Sequence, residues 1–473
     1  MMELISRINN SVNSFVWGPI MLALIVGTGI FLTIRCRFPQ ASKFGYMWQN
    51  TVSTLFKKGD KAALASDGTN VSPFAAVSTA LASTVGVGNV AGVAGAIAAG
   101  GPGAVFWMWV SAFFGMCTKY AEIVLAVHFR QVAEDGTHYG GPMYYIEKGL
   151  KCKWLACIFA LLGGLACFGI GNATQAAEIS VAVNNLTGAG FDSSFITAII
   201  LAAIVGIVVI GGIKRISTVT TYLVPFMALF YIIIGVGIII ANASVLPQCF
   251  AIIFKSAFSL KAVGGGVFGY AIFLAMQKGI ARGVFSNEAG LGSAPIAHAA
   301  SSTKAPVKQG LWGIFEVFID TIVICTITGL LVVLSGTYET SGLTGGALTA
   351  HAVETLLGSV WGGNFVRFGL LLFALSTILG WCYYGETCWG YLTNNNKTVT
   401  MIYRIIFTLV CFIGAWTSSS SVISDTSTLN LMWNLADTLN GLMAIPNLIG
   451  LLLLSGIVVK LTKEHFNSKR LKN

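Results

Sequence analysis

Between residues 17 and 459 the chain is a succession of apolar runs, each near the ~20 residues that a membrane-crossing helix needs. That one feature leaves few folds open. In hydrocarbon only a helix or a closed barrel satisfies its own backbone amides and carbonyls. Barrel strands alternate in polarity over about 10 residues, and these runs do not alternate. The pattern therefore predicts an all-α polytopic membrane protein. Composition agrees, with 55% apolar and only 10% charged residues, where soluble domains carry about 25% charged. The mean hydropathy is +0.78.

Eleven spans are expected, near 17–34, 73–99, 102–127, 153–185, 193–212, 219–241, 265–300, 308–335, 362–390, 398–416 and 430–459. Ahead of them, residues 1–16 place Leu4, Ile5, Ile8 and Val12 on one helical face, which suggests a short interfacial helix. Lys and Arg set the orientation. One set of alternate loops, with residues 35–72 and the tail at 461–473 among them, holds 21 basic residues, and the opposite set holds Arg7, Lys255, Lys261 and Arg367. The basic side is cytoplasmic. The N-terminus is then expected outside and the C-terminus inside, in a cytoplasmic (inner) membrane of a bacterium or archaeon. The net charge of +10 is thereby spent on topology and does not point to nucleic acid. No removable signal peptide is expected, because Arg35 and Arg37 follow the first apolar run.

Inside the second run, Ser83 to Gly101, four glycines (Gly86, Gly88, Gly92, Gly95) sit where a rigid span would not want them. Each costs up to about 1 kcal/mol relative to alanine in a helix interior. One reading is a broken helix whose freed amides and carbonyls bind something small, with Thr84 and Asn89 bracketing the turn. The other is a close-packing face, since Gly88 and Gly92 have the GxxxG spacing. With the 17–34 span set aside, ten remain and divide near residue 250 into two fives of opposite orientation, 73–242 and 265–460. The leading span of the second half carries Gly279 and Gly283 midway, then Pro295. Interrupted helices at matching places in two halves point to a transporter binding site, which favours the broken-helix reading.

Other chemistries find little support. The ten cysteines are scattered, mostly inside apolar runs, without a CxxC pair, and read as small buried hydrophobes. The five histidines stand apart, so no metal cluster is expected. No HExxH, GxSxG or Walker-type string occurs, and a channel would want a repeated filter motif that is missing. An enzyme is not expected.

The strings TALASTVGVGNVAGVAGAIAAGG (79–101), GGPGAVFWMWVSAFFG (100–115) and ARGVFSNEAGLGSAPIAHAA (281–300), with TQAAE (174–178) and LSTILGW (375–381), resemble the alanine or glycine:cation symporter family. The resemblance runs from about residue 15 to 460. It implies eleven spans, ten of them in a LeuT-type 5+5 inverted-repeat core with broken first and sixth core helices. It also implies sodium-coupled symport of small neutral amino acids, alanine or glycine, by alternating access, with sodium co-transported and no prosthetic group. Proton coupling, another small solute and a non-transporting sensor stay open as alternatives. Val87 stands where many members carry a hydroxyl residue, which main-chain contacts tolerate.

On that reading the amides of Gly86, Val87 and Gly88 start a half-helix, whose dipole favours the substrate carboxylate. Thr84, Asn89, Gln175 and Thr377 are candidate polar contacts. Carbonyls of Phe273, Ala275, Met276 and Gln277, beside Gly279, are expected to face the ammonium. Phe273, Met276 and Trp381 are expected to wall the side chain. By the same resemblance, sodium would take carbonyls of Ala82, Val85 and Phe373 with the hydroxyls of Ser376 and Thr377. Among ionisable residues in the spans, Lys278, Arg282 and Glu288 are expected past the second break, closing an inner gate with Glu122 or Glu386. Static pairing is the alternative role for these charges.

Overall fold

Helix starts carry the signals that the sequence advertises. Ser72 accepts the Ala75 amide at 3.1 Å just ahead of Pro73, and Asn396 takes the amides of Thr398 and Val399. The computed structural model describes residues 2–56, 64–188, 193–258, 270–418 and 426–470. Among these, strand is confined to a hairpin pairing Gln131–Val132 with His138–Tyr139, and to a bridge between Val71 and Ser301. Lys57, Lys58, Lys61, Lys261, Lys472 and the start of the 265–300 span lie outside the described residues.

Among the described residues, eight helices are long and apolar enough to cross a membrane: Ile5–Arg35, Gly103–His128, Lys153–Thr187, Gly212–Ala241, Pro306–Ser335, Val360–Leu392, Lys397–Trp416 and Asn434–Asn467. A bent pair, Pro73–Thr84 and Gly88–Gly100, makes a ninth. Two of the expected spans fall short of that measure. Ser194–Ile210 has 17 residues, and the 265–300 segment is interrupted. The N-terminal helix, Met2–Val16, packs along the last helix, with Asn13 donating to Thr438 at 3.0 Å.

Gly103–His128 forms the centre, packed against Tyr270–Asn287 on one side and Pro306–Val317 on another. Ser194–Ile210, Gly212–Ala241 and Lys397–Trp416 lie at the rim and leave Ile200, Ile207, Ile233, Ile240, Leu409 and Ile413 exposed. Branched apolar side chains in that position suit lipid.

The first interruption falls where the glycines suggest. Pro73–Thr84 stops at Val85 (φ −78°, ψ 88°), and the chain restarts in a π-helical turn, Gly88–Gly92, at an angle of 48°. Of the Gly88 and Gly92 pair only Gly88 packs closely: a Cβ there would lie 3.3 Å from the Phe285 ring, whereas one on Gly92 would come no nearer than 3.7 Å to Arg282.

The second interruption is not at Gly279 and Gly283. Tyr270–Asn287 runs unbroken through both, and the chain leaves the helix only over residues 288–293 before Ala294–Ala299. The two glycines serve packing. A Cβ on Gly279 would lie 2.3 Å from the Ala104 carbonyl oxygen, and one on Gly283 would lie 2.4 Å from Ser111 Oγ. The real break carries positive φ at Glu288 (56°), Gly290 (93°) and Gly292 (86°), which explains glycine at the last two.

The ends of the two interrupted helices that lie on the face carrying the basic loops are clasped together. The Val71 amide donates to Ala300 O at 3.3 Å and the Ser302 amide donates to Val71 O at 2.8 Å. Arg130 reaches across to the carbonyls of Ser301 (2.7 Å) and Thr303 (2.8 Å), and His138 Nδ1 meets Ser301 O at 2.9 Å. Asn70 joins the hairpin to the clasp by accepting the His138 amide at 2.8 Å.

Candidate functional site

A small cavity lies between the two interruptions, lined by Ser83, Thr84, Gly86, Val87, Gly88, Ile170, Gln175, Phe285, Ser286, Glu288, Thr377, Trp381 and Asn440. Each wall has a local cause. Gly171 belongs to a second π-helical turn, Gly169–Ala173, and lets that helix lie against Trp381, whose Cβ would be 2.3 Å from a Cβ placed there. The same turn brings the Ile170 carbonyl within 3.0 Å of Gln175 Nε2 and leaves Gln175 Oε1 buried without a hydrogen-bond partner. Asn440 Oδ1 is likewise buried and unpartnered. Two orphaned acceptors at a cavity of this size fit an ammonium group.

At the first break, Ser376 Oγ lies 3.1 Å from Ala82 O and 2.9 Å from Phe373 O, and Thr377 Oγ1 donates to Phe373 O at 2.9 Å. Gly86 abuts Thr377: a Cβ there would sit 2.5 Å from Thr377 Oγ1. Ala82, Phe373, Ser376 and Thr377 are thus brought together beside Val85, all of them buried. These are neutral oxygens, the kind of set a hard monovalent cation accepts.

Asn89 departs from its expected part. Its Oδ1 accepts the Gly86 amide at 2.8 Å, and its Nδ2 donates to Asp320 Oδ1 at 2.7 Å. The Gly86 amide is therefore occupied, and of the three amides expected for a carboxylate, those of Val87 and Gly88 are left. Asp320 lies in a third π-helical stretch, Phe318–Cys325. Its Oδ2 accepts from Ser286 Oγ and Thr321 Oγ1, both at 2.8 Å. One carboxylate so joins the first break to the end of the helix before the second. The sequence marks Asp320 only as a charge inside an apolar run.

The second break is held open by two side chains. Asn287 Oδ1 captures the Ala289 amide and Glu122 Oε1 captures the Gly290 amide, each at 3.0 Å. Those are the amides that would have closed the helix onto the carbonyls of Phe285 and Ser286. Asn447 steadies the arrangement, donating to Glu122 Oε1 at 2.6 Å and to Gly290 O at 2.8 Å, while its own Oδ1 accepts from Tyr145.

Phe273, Ala275, Met276, Gln277 and Gly279 are not brought to this cavity. Their carbonyls belong to an unbroken helix, because the interruption comes later. Ala275 packs on Gly100, and Gln277 donates to Trp17 O at 3.3 Å. Phe285 and Ile170, not Phe273 and Met276, stand with Trp381 as the apolar wall.

The expected inner-gate residues are also redistributed. Lys278 and Arg282 precede the break and line a wide cavity with Asn13, Trp17, Asn434 and Asp437, on the face of the N-terminal helix. Glu288 sits at the break itself, buried, and accepts from Ser293 Oγ. Glu386 pairs with Arg404 (2.7 and 2.8 Å), and Glu122 holds Gly290. Neither reaches Lys278 or Arg282. Arg282 and Phe285 also line a further cavity with Gly92, Gly95, Gln175 and Glu178. On the opposite face Lys119, Glu316, His298 and Gln309 form a fully buried chain, with Lys119 Nζ 3.4 Å and His298 Nε2 2.9 Å from the Glu316 carboxylate.

Comparison with known proteins gives one consistent answer. The family described as Sodium:alanine symporter matches residues 2–473. The chain is 48% identical over 476 residues to the sodium/alanine symporter AgcS of Methanococcus maripaludis, covering 99% of this chain and 98% of that one. It is 36% identical over 471 residues to a probable sodium/glutamine symporter, GlnT, of Bacillus subtilis, covering 99% and 92%. Among solved structures it shares its fold with MhsT bound to L-phenylalanine, at a TM-score of 0.56, 12% identity and coverage of 82% and 97%. A sodium-coupled sialic acid symporter in a substrate-bound outward-open state gives 0.53 at 12% identity, over 95% and 98%. With a full-length family match and a relative near half identical, the chain belongs to the sodium:alanine symporter family.

Proposed function

We propose that this protein carries a small neutral amino acid, alanine or glycine, into the cell together with sodium, with its N-terminus outside and its basic loops in the cytoplasm. The observation that carries the reading is the junction of Gly86 with Ser376 and Thr377, where a helix break meets two buried hydroxyls and the carbonyls of Ala82 and Phe373. Sodium sits there on neutral oxygens, with the Val85 carbonyl as a further ligand. The amino acid lies in the adjacent cavity. Its carboxylate takes the Val87 and Gly88 amides at the start of the outer half-helix, and its ammonium takes Gln175 Oε1 and the carbonyls of Phe285 and Ser286. Thr84 and Thr377 flank it. Trp381, Phe285 and Ile170 are the apolar wall of this small cavity, and its small size favours alanine and glycine over larger relatives. Lys278, Arg282 and Phe285 act on the outer route, whereas the Val71–Ala300 clasp closes the inner one.

The driving force is adequate. About 100 mV contributes roughly 2.3 kcal/mol per charge, and a tenfold gradient adds about 1.4 kcal/mol. The test is uptake of labelled alanine and glycine into proteoliposomes under separate sodium, lithium and proton gradients. Sodium-driven accumulation is expected, and the S376A/T377A double variant should need more sodium for half-maximal uptake. Accumulation indifferent to sodium would overturn the proposal.

A further inference from the structure

The candidate sodium site carries no formal charge, yet a buried carboxylate stands two hydrogen bonds away. Asp320 Oδ1 accepts from Asn89 Nδ2 at 2.7 Å, Asn89 Oδ1 accepts the Gly86 amide at 2.8 Å, and Gly86 lies against Thr377 Oγ1. Every partner of the Asp320 carboxylate is a neutral donor: Asn89, Ser286 and Thr321. Thr321 Oγ1 accepts from Asn287 Nδ2 at 3.0 Å, so its hydrogen is directed to Asp320. This directionality suits an ionised carboxylate. Nearby charges do not offset it. Glu316, one turn earlier, is matched by Lys119 and touches His298, and among the described residues no basic side chain pairs with Asp320. A lone negative charge in so dry a place is costly, and a cation across Gly86 would relieve that cost.

We propose that Asp320 is a positioning residue for sodium: it supplies the negative charge that sets the ion's affinity and, through Asn89, fixes the Gly86 turn against Thr377. The inference rests on the sodium-symport reading above. Asp320 touches neither ion nor amino acid, so its removal acts on sodium first and on the amino acid only through sodium.

The experiment measures sodium activation of alanine uptake in proteoliposomes for wild type, D320N, D320E and N89A, with alanine KM at saturating sodium as the second readout. D320N keeps shape and loses charge. It should raise the half-activating sodium concentration about tenfold or more, the size of effect one nearby charge produces. Alanine KM at saturating sodium should stay within about threefold. D320E should restore most of the sodium affinity, and N89A should shift it in the same direction as D320N. A folded D320N with unchanged sodium dependence overturns the proposal, as do equal losses for sodium and alanine. Should D320N fail to fold, N89A decides by the same criterion. A wild type that ignores sodium would instead sink the symport reading itself, whereas a sodium-dependent wild type matched by D320N sinks this inference alone.

Discussion

Asn89 and Asp320 lie 231 residues apart in the chain, and the amide of the first donates to the carboxylate of the second at 2.7 Å. Asn89 is one residue past the start of the half-helix Gly88–Gly100, and Ser286, bonded to the same carboxylate, is two residues before the other break. A single carboxylate is therefore hydrogen-bonded to the segments beside both interruptions. A contiguous, hydrogen-bonded connection of this kind is a physical route by which an ion and a solute in adjacent sites come to depend on each other.

The contact of Gly86 with Thr377 can be tested by crowding it. A methyl group on Gly86 would meet Thr377 Oγ1 at 2.5 Å, so G86A should cost about 1–3 kcal/mol of stability. In detergent, sodium should raise the melting temperature of the wild type and leave that of G86A unmoved. Adding T377A should recover the lost stability without the response to sodium. A G86A protein that still responds fully to sodium would separate this contact from the ion.

Gly279 and Gly283 call for the opposite outcome. Each lets Tyr270–Asn287 approach Gly103–His128 closely, so G283A should lower the melting temperature through overpacking, again by about 1–3 kcal/mol. The half-activating sodium concentration of the folded fraction should not change. An altered sodium requirement would mean that this seam moves during transport.

Lys278 and Arg282 line the cavity beside the N-terminal helix. With that helix outside, a cysteine at Lys278 should react with a membrane-impermeant thiol reagent added to intact cells. Alanine with sodium should slow the reaction as the outer route closes. Labelling confined to inverted vesicles would reverse the orientation.

Acidification should loosen the clasp at Val71 and Ala300. Burial pushes the His138 imidazole below its ordinary value of about 6.5, against a smaller upward pull from the Ser301 carbonyl, and Arg130 and Asp67 are the charges that face it. The Asn70 side-chain amide, then its backbone amide, hold the Asp67 carboxyl below the usual carboxylate range. Both groups bind protons more readily once the clasp opens. The closed form is thus fully favoured above about pH 6.5 and weakens as pH falls through the lowered His138 value, then again below about pH 4 through Asp67. Hydrogen exchange at Val71 and Ser302, corrected for intrinsic rate, should show less protection at pH 5.5 than at 7.5. H138Q should flatten the difference, and equal protection at both pH values would contradict the assignment.

Much of this was legible in residues alone, for reasons that can be named. Long apolar runs without alternation have the helix as their solution in a bilayer, and the Gly86–Val87–Gly88 turn sets two glycines close together inside such a run. The Ser376–Thr377 pair stands out inside an apolar run. Gly279 and Gly283 misled because a glycine that yields to a neighbouring helix and one that yields to a turn look the same in one dimension. The better signal lay a few residues on, where Ser286–Asn287–Glu288 puts three polar residues together ahead of Gly290 and Gly292. Displacing the break moved Lys278 and Arg282 to the other face. Asp320 and Glu122 act through Asn89 and Gly290, more than 150 residues away in sequence, and a π-helical turn shifts the face on which Asp320 emerges. Spacing could not have shown that.

The bridge between Val71 and Ala300 has a mechanical consequence. It staples the end of one interrupted helix to the end of the other by peptide groups, so among substitutions only proline, at Val71 or Ser302, would take away a donating N–H. A route opened on that face must either part those two bonds or carry both helix ends away together as one unit.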